Sequence, residues 1–594
     1  LGVVELSIAL HRSFSSPQDA IIWDVSHQCY PHKILTGRYD LFSSIRMKDG
    51  ISGFTKIKES PHDYFDAGHA SSSISSALGL LSAWELEGKK DKVVVVIGDG
   101  ALTGGMAFEG LSHAGQLAKN LIVVVNDNQM SIDKNVGSIS RYLSSLAFSD
   151  SYHGFRYKVD RLIDKIPYFN RWLGKVVFRL KRGLKGLFFT NNLFVDLGFE
   201  YTGPLNGHSI DEMERVFNRA KKIPRPVVIH VVTKKGKGYS PAENNPSVFH
   251  GVGPFNITDG IVEKFDNLSF TENFSNKIVE MAQADNRIVA ITAAMSKGTG
   301  LDAFSRKFKD RFFDVGIAEE HAVTFAGGIA AGGLIPVVAI YSTFIQRSVD
   351  QIIEDIALQN RHVIIALDRA GAVPSDGETH QGIFDIALFR PVPNLSMISV
   401  AGKKDMELCL DWAVNKAQGP VVMRWPKMAC PSELEPFSAP VEPGKGVLLK
   451  TTDFAPSISS FGQGEDSWRK KVLLVCTGSV FSETLRAARA LVLDGIDADI
   501  YSLRFIKPFD EKYFAGIAKL YYGIVFIEDG VKMGGISEWL ESFVRGSPET
   551  SFLKTAVLAF PDKFVANGNR EQILDEAGLS SEKIATAAKE LMRI

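Results

Sequence analysis

Two short runs of this 594-residue chain carry chemistry in their spacing. Gly98-Asp99-Gly100-Ala101 follows five aliphatic residues at 93–97, and Asn126-Asp127-Asn128-Gln129-Met130 closes another aliphatic run at 121–125. Both runs read as strands of a parallel sheet, and open α/β sheets bind ligands beyond the carboxyl ends of their strands. Asp99 and Asn128 stand 29 positions apart (128 − 99), enough for one strand–helix–strand crossover. A carboxylate and an amide oxygen therefore arrive together at one sheet edge. Hard oxygen ligands of this kind suit Mg²⁺, which keeps its other positions for water and phosphate oxygens. Gly100 lets the backbone approach a phosphate closely, and the N-terminus of the next helix favours the anion.

The elements that must position these groups recur along the chain. Short β-branched runs alternate with amphipathic stretches, the pattern of parallel α/β layers. Three blocks emerge, 1–255, 256–440 and 441–594. Strands are expected at 20–25, 93–98, 121–126 and 227–233 in the first block. The second carries them at 287–292, 336–340, 362–367 and 421–425, and the third at 471–476, 498–502 and 523–528. The Gly/Pro/Asn-rich stretch 234–254 ends the first block. Pro431, Pro436, Pro440 and Pro443, with the polar stretch 457–467, read as a linker. Residues 156–185 hold ten Lys/Arg against Asp160 and Asp164. They read as a solvated excursion between strands rather than a membrane-surface helix.

Composition removes several function classes. The 67 Lys+Arg balance 68 Asp+Glu, so no global field draws the chain to nucleic acid or an anionic membrane. No apolar run approaches the roughly 20 residues that span a bilayer. Cys29, Cys409, Cys430 and Cys476 form no CxxC pair, which fits reduced thiols in a cytoplasmic protein (or a plastid one, in a plant) better than a zinc or disulfide framework. The chain opens on Leu1-Gly2-Val3 with no signal-peptide pattern, and a preceding N-terminal segment is expected.

The paired GDG and NDN runs are the motif of thiamine-diphosphate enzymes, and the wider chain resembles the 1-deoxy-D-xylulose-5-phosphate synthase family. The likeness is carried by Trp23-Asp24-Val25-Ser26-His27-Gln28-Cys29-Tyr30-Pro31-His32-Lys33, Gly68-His69-Ala70-Ser71-Ser72-Ser73 and the run 101–113. It continues through Ile317-Ala318-Glu319-Glu320-His321, Tyr341-Ser342-Thr343-Phe344, Asp368-Arg369-Ala370-Gly371 and Asp376-Gly377-Glu378-Thr379-His380-Gln381-Gly382. The last two segments speak against transketolase proper, which shares the diphosphate motif. The retained Asp99, Asn128 and Glu319 speak against a non-catalytic thiamine-diphosphate binder. The resemblance implies three doubly wound α/β domains: two thiamine-diphosphate-binding folds and a transketolase C-terminal-type domain. It also implies a homodimer that condenses pyruvate with D-glyceraldehyde 3-phosphate, releases CO₂ and gives 1-deoxy-D-xylulose 5-phosphate, with thiamine diphosphate and Mg²⁺ as cofactors. That product would feed isoprenoid, thiamine and pyridoxal synthesis.

Carried over residue by residue, the resemblance makes Glu319 the partner of the cofactor's aminopyrimidine. Glu319 lies among Val315, Ile317, Ala318, Ala322 and Val323 on a passage from loop to helix, a setting that raises a carboxyl pKa. His27, Gly68, His69, Ala70, Gly100, Ala101 and Tyr239 are placed at the cofactor, and Asp99, Asn128 and Met130 at the metal. His27, Arg347 and His380 join Glu319 as catalytic residues. Tyr341, Arg369, Asp376, His380 and Lys427 form the expected substrate pocket, with Arg369 able to grip phosphate as a planar fork.

Two departures stand out. The family usually reads Arg-Tyr-Pro-Arg-Gly where this chain has Arg424-Trp425-Pro426-Lys427-Met428, and Lys427 keeps the charge but loses the fork. The family's Gly-His-(Leu or Phe)-Ala-Ser motif would precede Leu1, so a further catalytic histidine is expected there. Ser26 for a glycine and Glu320 for a glutamine are smaller changes.

Overall fold

The computed structural model describes residues 2–128, 142–143, 192–246, 248–250, 255–261, 268–432, 434–455 and 471–592. Met130, the basic stretch 156–185 and the polar stretch 457–467 lie outside these. The chain forms two compact units, Leu1–Asp40 with Phe54–Ile261, and Leu41–Gly53 with Val262–Ile594. Among the described residues no helix is long and apolar enough to cross a membrane.

The first unit is built on one parallel sheet of strands β1 (Ala20–Trp23), β2 (Val93–Gly98), β3 (Leu121–Asp127), β4 (Glu200–Asn206) and β5 (Val227–Val232), in the order β1-β2-β3-β5-β4. Residues 93–97 and all of β3 are buried, as parallel strands covered on both faces must be. Val94, Val96, Ile122, Val124 and Ile229 pack with Leu6 and Leu10 of the helix Val4–Ser13, with Phe14 just past its end, and with Met213 and Phe217 of Ile210–Ala220.

The second unit holds two sheets. One contains β6 (Ile288–Thr292), β7 (Phe312–Asp314), β8 (Ile335–Tyr341), β9 (Ile364–Asp368), β10 (Ser396–Ser399) and β11 (Val421–Arg424). The other contains β12 (Val447–Leu449), β13 (Lys471–Thr477), β14 (Asp497–Leu503), β16 (Gly523–Val531) and β17 (Lys554–Phe560), ordered β12-β14-β13-β16-β17. Strand β15 (Phe505–Lys507) leaves the second sheet's stretch of chain and pairs antiparallel with β10, closing the order β15-β10-β11-β9-β8-β6-β7. Apart from β12 and β15, every pairing is parallel.

Three mostly parallel α/β sheets are therefore present, and the aliphatic runs of the sequence supply their central strands. The strands that periodicity misses are β4, β7, β12, β15 and β17 at sheet edges and the interior β10, whose four residues Ser-Met-Ile-Ser form no aliphatic run. An edge strand has one partner and needs no unbroken aliphatic run. In β4 this tolerates Gly203-Pro204, since proline's missing N–H costs no ladder bond at an edge.

Candidate active site

In the first unit, the register pairs Gly98 of β2 with Asn126 of β3, so Asp99 and Asn128 leave neighbouring strands at their carboxyl ends. Asp99 is buried, and its amide donates to the Asn126 carbonyl at 3.2 Å. Two nearby polar groups are engaged by the fold. Thr233 Oγ1 donates to Asn126 Oδ1 at 2.7 Å, and His230 Nε2 lies 3.1 Å from Asp127 Oδ2. Asn128 itself is half-buried. Among the described residues no group of three or more His, Cys, Asp or Glu could hold a metal. A Cβ added to Gly98 or Gly105 meets nothing within 4 Å, leaving open space at the strand end and at the start of the helix Gly105–Leu117.

The loops around this edge are pinned by buried polar groups. The Asp24 carboxylate accepts from the Ser71 amide at 2.9 Å and the Ser73 amide at 3.2 Å, fixing the loop that carries Gly68, His69 and Ala70. Ser71 Oγ donates to the Ala101 carbonyl at 2.7 Å, tying that loop to the turn after Gly100. Val25 and Ser26 both take left-handed backbone, φ 56° and 65°. Ser26 occupies a conformation that favours glycine, and its Oγ, accepting from the Thr55 amide at 2.9 Å, offsets the strain. This turn presents His27, whose ring centroid lies 5.2 Å from that of His250. Burial and the neighbouring Lys235 push the His250 imidazole down to about 2, so it stays neutral and accepts from the Lys235 ammonium. His32 is fully buried between Asp63 and His11, 2.9 Å from each. Tyr239 donates its hydroxyl to the Ile257 carbonyl at 2.9 Å and packs with Phe249 and Phe255.

In the second unit Glu319 is the first residue of the helix Glu319–Ala331 and only 2% exposed. Its Oε2 lies 3.5 Å from Arg347 Nη1 and has no hydrogen-bond partner among the described residues. Burial raises its carboxyl above the ordinary range, and the Arg347 guanidinium opposes that shift without reversing it. A buried carboxyl oxygen left open in this way suits a proton-sharing ring nitrogen.

A second cluster gathers at the carboxyl ends of β8, β9 and β11. The Arg369 guanidinium lies 3.8 Å over the Tyr341 ring, Tyr341 stacks on Phe344 at 5.7 Å, and Phe344 meets His380 edge-on at 5.5 Å. Arg369 itself sits at φ 61°. Asp376 forms an ion pair with Arg46. Burial alone would raise the Asp376 carboxyl; His380, Arg46, Lys427 and Arg369 together outweigh it and hold the carboxyl below its ordinary value. Lys427 is exposed, and its Nζ has neither hydrogen bond nor ion pair among the described residues. The dense protein around it, then Arg369, push its ammonium down to about 8, against the pull of Asp376 and Asp368. Solvent access at the side chain limits how far that crowding acts, so Lys427 remains mainly charged at neutral pH.

Three residues before Lys427, Arg424 has a different task. It is fully buried, donates through Nε to Asp385 Oδ2 at 2.8 Å, and grips Asp529 on β16 through Nη1 at 2.8 Å and Nη2 at 3.1 Å. This triad anchors the turn that carries Lys427 to the neighbouring sheet. Arg46, His250, Lys235 and the carboxylates of the triad carry no local sequence signal. The Arg46–Asp376 pair, for example, joins positions 330 apart.

Comparison with known proteins gives a consistent order of matches. The family 1-deoxy-D-xylulose-5-phosphate synthase matches residues 1–233, the transketolase pyrimidine binding domain 266–432 and the transketolase C-terminal domain 464–584. The 1-deoxy-D-xylulose-5-phosphate synthase of Treponema pallidum is 51% identical, over 100% of this chain and 91% of that protein. Its counterpart from Carboxydothermus hydrogenoformans is 46% identical, over 100% of this chain and 92% of that protein. Among solved structures, the transketolase from Leishmania mexicana aligns with 97% of this chain and 89% of its own, at 17% identity and a TM-score of 0.46.

Proposed function

The chain belongs to the 1-deoxy-D-xylulose-5-phosphate synthase family, and from that premise we propose how its own residues serve the family's reaction. The reaction is a transketolase-type transfer: pyruvate loses CO₂ as its two-carbon remnant joins D-glyceraldehyde 3-phosphate. Thiamine diphosphate with Mg²⁺, the family's cofactors, supplies a nucleophilic carbon and an electron sink when bound.

The residues present fit that cofactor. Asp99 and Asn128, with Met130 beside them in sequence, would hold the metal. Gly100, Ala101, His27 and the Gly68-His69-Ala70 backbone would hold the diphosphate, with Tyr239 anchoring a loop beside it. The observation that carries the reading is Glu319, a 2% exposed carboxyl at a helix start whose Oε2 has the Arg347 guanidinium at 3.5 Å but no hydrogen bond among the described residues, and whose pKa is raised. Such a group holds a proton at a ring nitrogen and returns it, which is general acid–base work at neutral pH. Arg347, in contact with Glu319, keeps that carboxyl oriented and with His380 would face the pyruvate-derived carbons. Arg369 and Lys427 would take the acceptor's phosphate, Asp376 its hydroxyls, and Tyr341 supports Arg369 from below. A homodimer in the cytoplasm is part of the same reading. It is supported by apolar side chains left exposed on the first unit, among them Leu86, Met106, Phe108 and Leu117.

The test is release of CO₂ from pyruvate, with and without glyceraldehyde 3-phosphate, by the protein and its Glu319→Gln variant. The variant should bind thiamine diphosphate within about tenfold of the parent yet turn over roughly 10²–10⁴ more slowly. Turnover by the variant at the parent's rate would overturn the role of Glu319.

A further inference from the structure

We propose that Asn567 is a positioning residue for the acceptor site: its side-chain amide and the neighbouring Gly568 carbonyl clamp the two turns that carry the Arg46–Asp376 ion pair, and so aim the Asp376 carboxylate at the aldehyde's hydroxyls. The proposal rests on reading Asp376 as the contact for those hydroxyls.

The ion pair is made between two strained turns. Arg46 and Ser375, the residue before Asp376, both take left-handed backbone, φ 63° and 75°, which a side chain holds only where its surroundings impose it. One short segment touches both turns. Asn567 Nδ2 donates to the Met47 carbonyl, next to Arg46, and the Ser375 amide donates to the Gly568 carbonyl at 2.8 Å. Gly377, on the other side of Asp376, turns at φ 75°, and a Cβ there would touch the Asn567 amide nitrogen at 3.5 Å. The Arg46 guanidinium is seated in its turn on Gly53, where a Cβ would stand 2.5 Å from Arg46 Cζ. Arg46 engages Asp376 through Oδ1, so the way the pair is held sets where Oδ2 points. Met47, Asp376 and Asn567 fall in the three successive family matches, and Asn567 lies 520 positions from Met47.

The clamp is anchored on both sides. It belongs to the segment between β17 and the helix Arg570–Glu576. Before it, Val565 packs in one core with Ala372 and Ile383. After it, Asn569 caps the helix, its Oδ1 accepting from the Gln572 amide at 2.9 Å. Arg570 donates to the Ala372 carbonyl at 3.3 Å and the Ser479 carbonyl at 2.6 Å, tying the base of the loop that carries Asp376 to the same helix. Asn567 itself is 7% exposed. Removing its amide leaves these anchors in place and frees only the turn at Arg46. A misplacement of about 1 Å caused by a residue remote from the chemistry is enough to be measured.

The full chain, saturated with thiamine diphosphate and Mg²⁺, is assayed for CO₂ release with each substrate varied in turn. Asn567→Ala should raise the KM for glyceraldehyde 3-phosphate about three- to tenfold, the loss expected for one neutral hydrogen bond, and leave the KM for pyruvate within about twofold. Asn567→Asp keeps the shape and the packing but turns an oxygen toward the Met47 carbonyl, so it should do at least as much. Asp376→Ala should raise the acceptor KM at least about tenfold. Adding Asn567→Ala to it should change that KM by less than about twofold, because the clamp then has no carboxylate to aim. A parent-like acceptor KM in both Asn567 variants, equal effects on the two substrates, or an undiminished effect in the Asp376→Ala background would overturn the clamp and leave Asp376 as an acceptor contact. An unchanged acceptor KM in Asp376→Ala would instead overturn the reading of Asp376, and the positioning role with it.

Discussion

Asp529→Ala should destabilise the second unit by about 3–5 kcal/mol, the cost of breaking a buried ion pair from one side. The substitution removes the two hydrogen bonds from Arg424 and the 2.6 Å bond from Thr477 Oγ1. Arg424 is fully buried and cannot turn to water; Asp385 and a 3.5 Å contact to Ser399 are its remaining partners. At roughly 2 °C per kcal/mol for a unit of this size, the apparent Tm should fall by about 6–10 °C in a calorimetric scan. The exposed pair Arg306–Asp302 is the control, and Asp302→Ala should change stability by less than about 1 kcal/mol. The pH dependence has a definite sign. The Asp529 carboxyl is held below its ordinary 3.8 chiefly by Arg424, against the opposing effect of burial. Its contribution is therefore present above pH 3.8 and is lost as pH falls through the depressed folded value. The gap between parent and variant should narrow in acid accordingly. Asp385, which takes a single bond from Arg424, is shifted upward by burial and works in the opposite sense. A Tm change below about 2 °C for Asp529→Ala would refute the reasoning, since a buried guanidinium stripped of the carboxylate that holds two of its three nitrogens cannot be that cheap.

Two further outcomes follow from the proposed cofactor and acceptor groups. Asp99→Ala should lower Mg²⁺-dependent thiamine-diphosphate affinity by more than about 100-fold, beyond the 10–100-fold typical of losing an outer-shell partner; isothermal titration measures it, and unchanged affinity would remove Asp99 from the metal. Lys427→Ala should raise the KM for glyceraldehyde 3-phosphate with little effect on that for pyruvate, because a charge-assisted hydrogen bond contributes roughly 1.5–3 kcal/mol, one to two decades in kcat/KM. Unphosphorylated glyceraldehyde should be almost indifferent to the change.

Most interior strands were legible because a parallel strand covered on both faces must be apolar at successive positions, as residues 93–97 and 121–125 are; the interior β10, with a serine at each end, was not. Edge strands escape that demand: β7 is three residues long, and β4 carries a proline. The same asymmetry governs the site. Asp99 and Asn128 could be paired from sequence because one crossover separates them and the sheet register does the rest. The burial of Glu319 could be expected because its apolar neighbours are adjacent in the chain, whereas its choice as a site residue comes from the family resemblance. Arg46 could not be placed, since its partner Asp376 is brought to it only by tertiary folding.

Arg424 and Lys427 show why composition alone cannot assign such roles. They are two basic residues on one turn, three positions apart, and by charge either could bind an anion. The strand geometry separates them. Arg424 is the last residue of β11, where its side chain enters the protein, and only a planar fork with fixed donors can satisfy two buried carboxylates at once. Lys427 lies past the strand end, beyond Pro426, where the chain has left the sheet and its side chain reaches solvent. A lysine in place of Arg424 would leave one of its two buried carboxylates without a donor fork, whereas an amine at 427 loses the fork and gains a proton that can be lost near pH 8. The anchored arginine holds the turn, and the freedom to vary is confined to the residue that meets solvent and substrate.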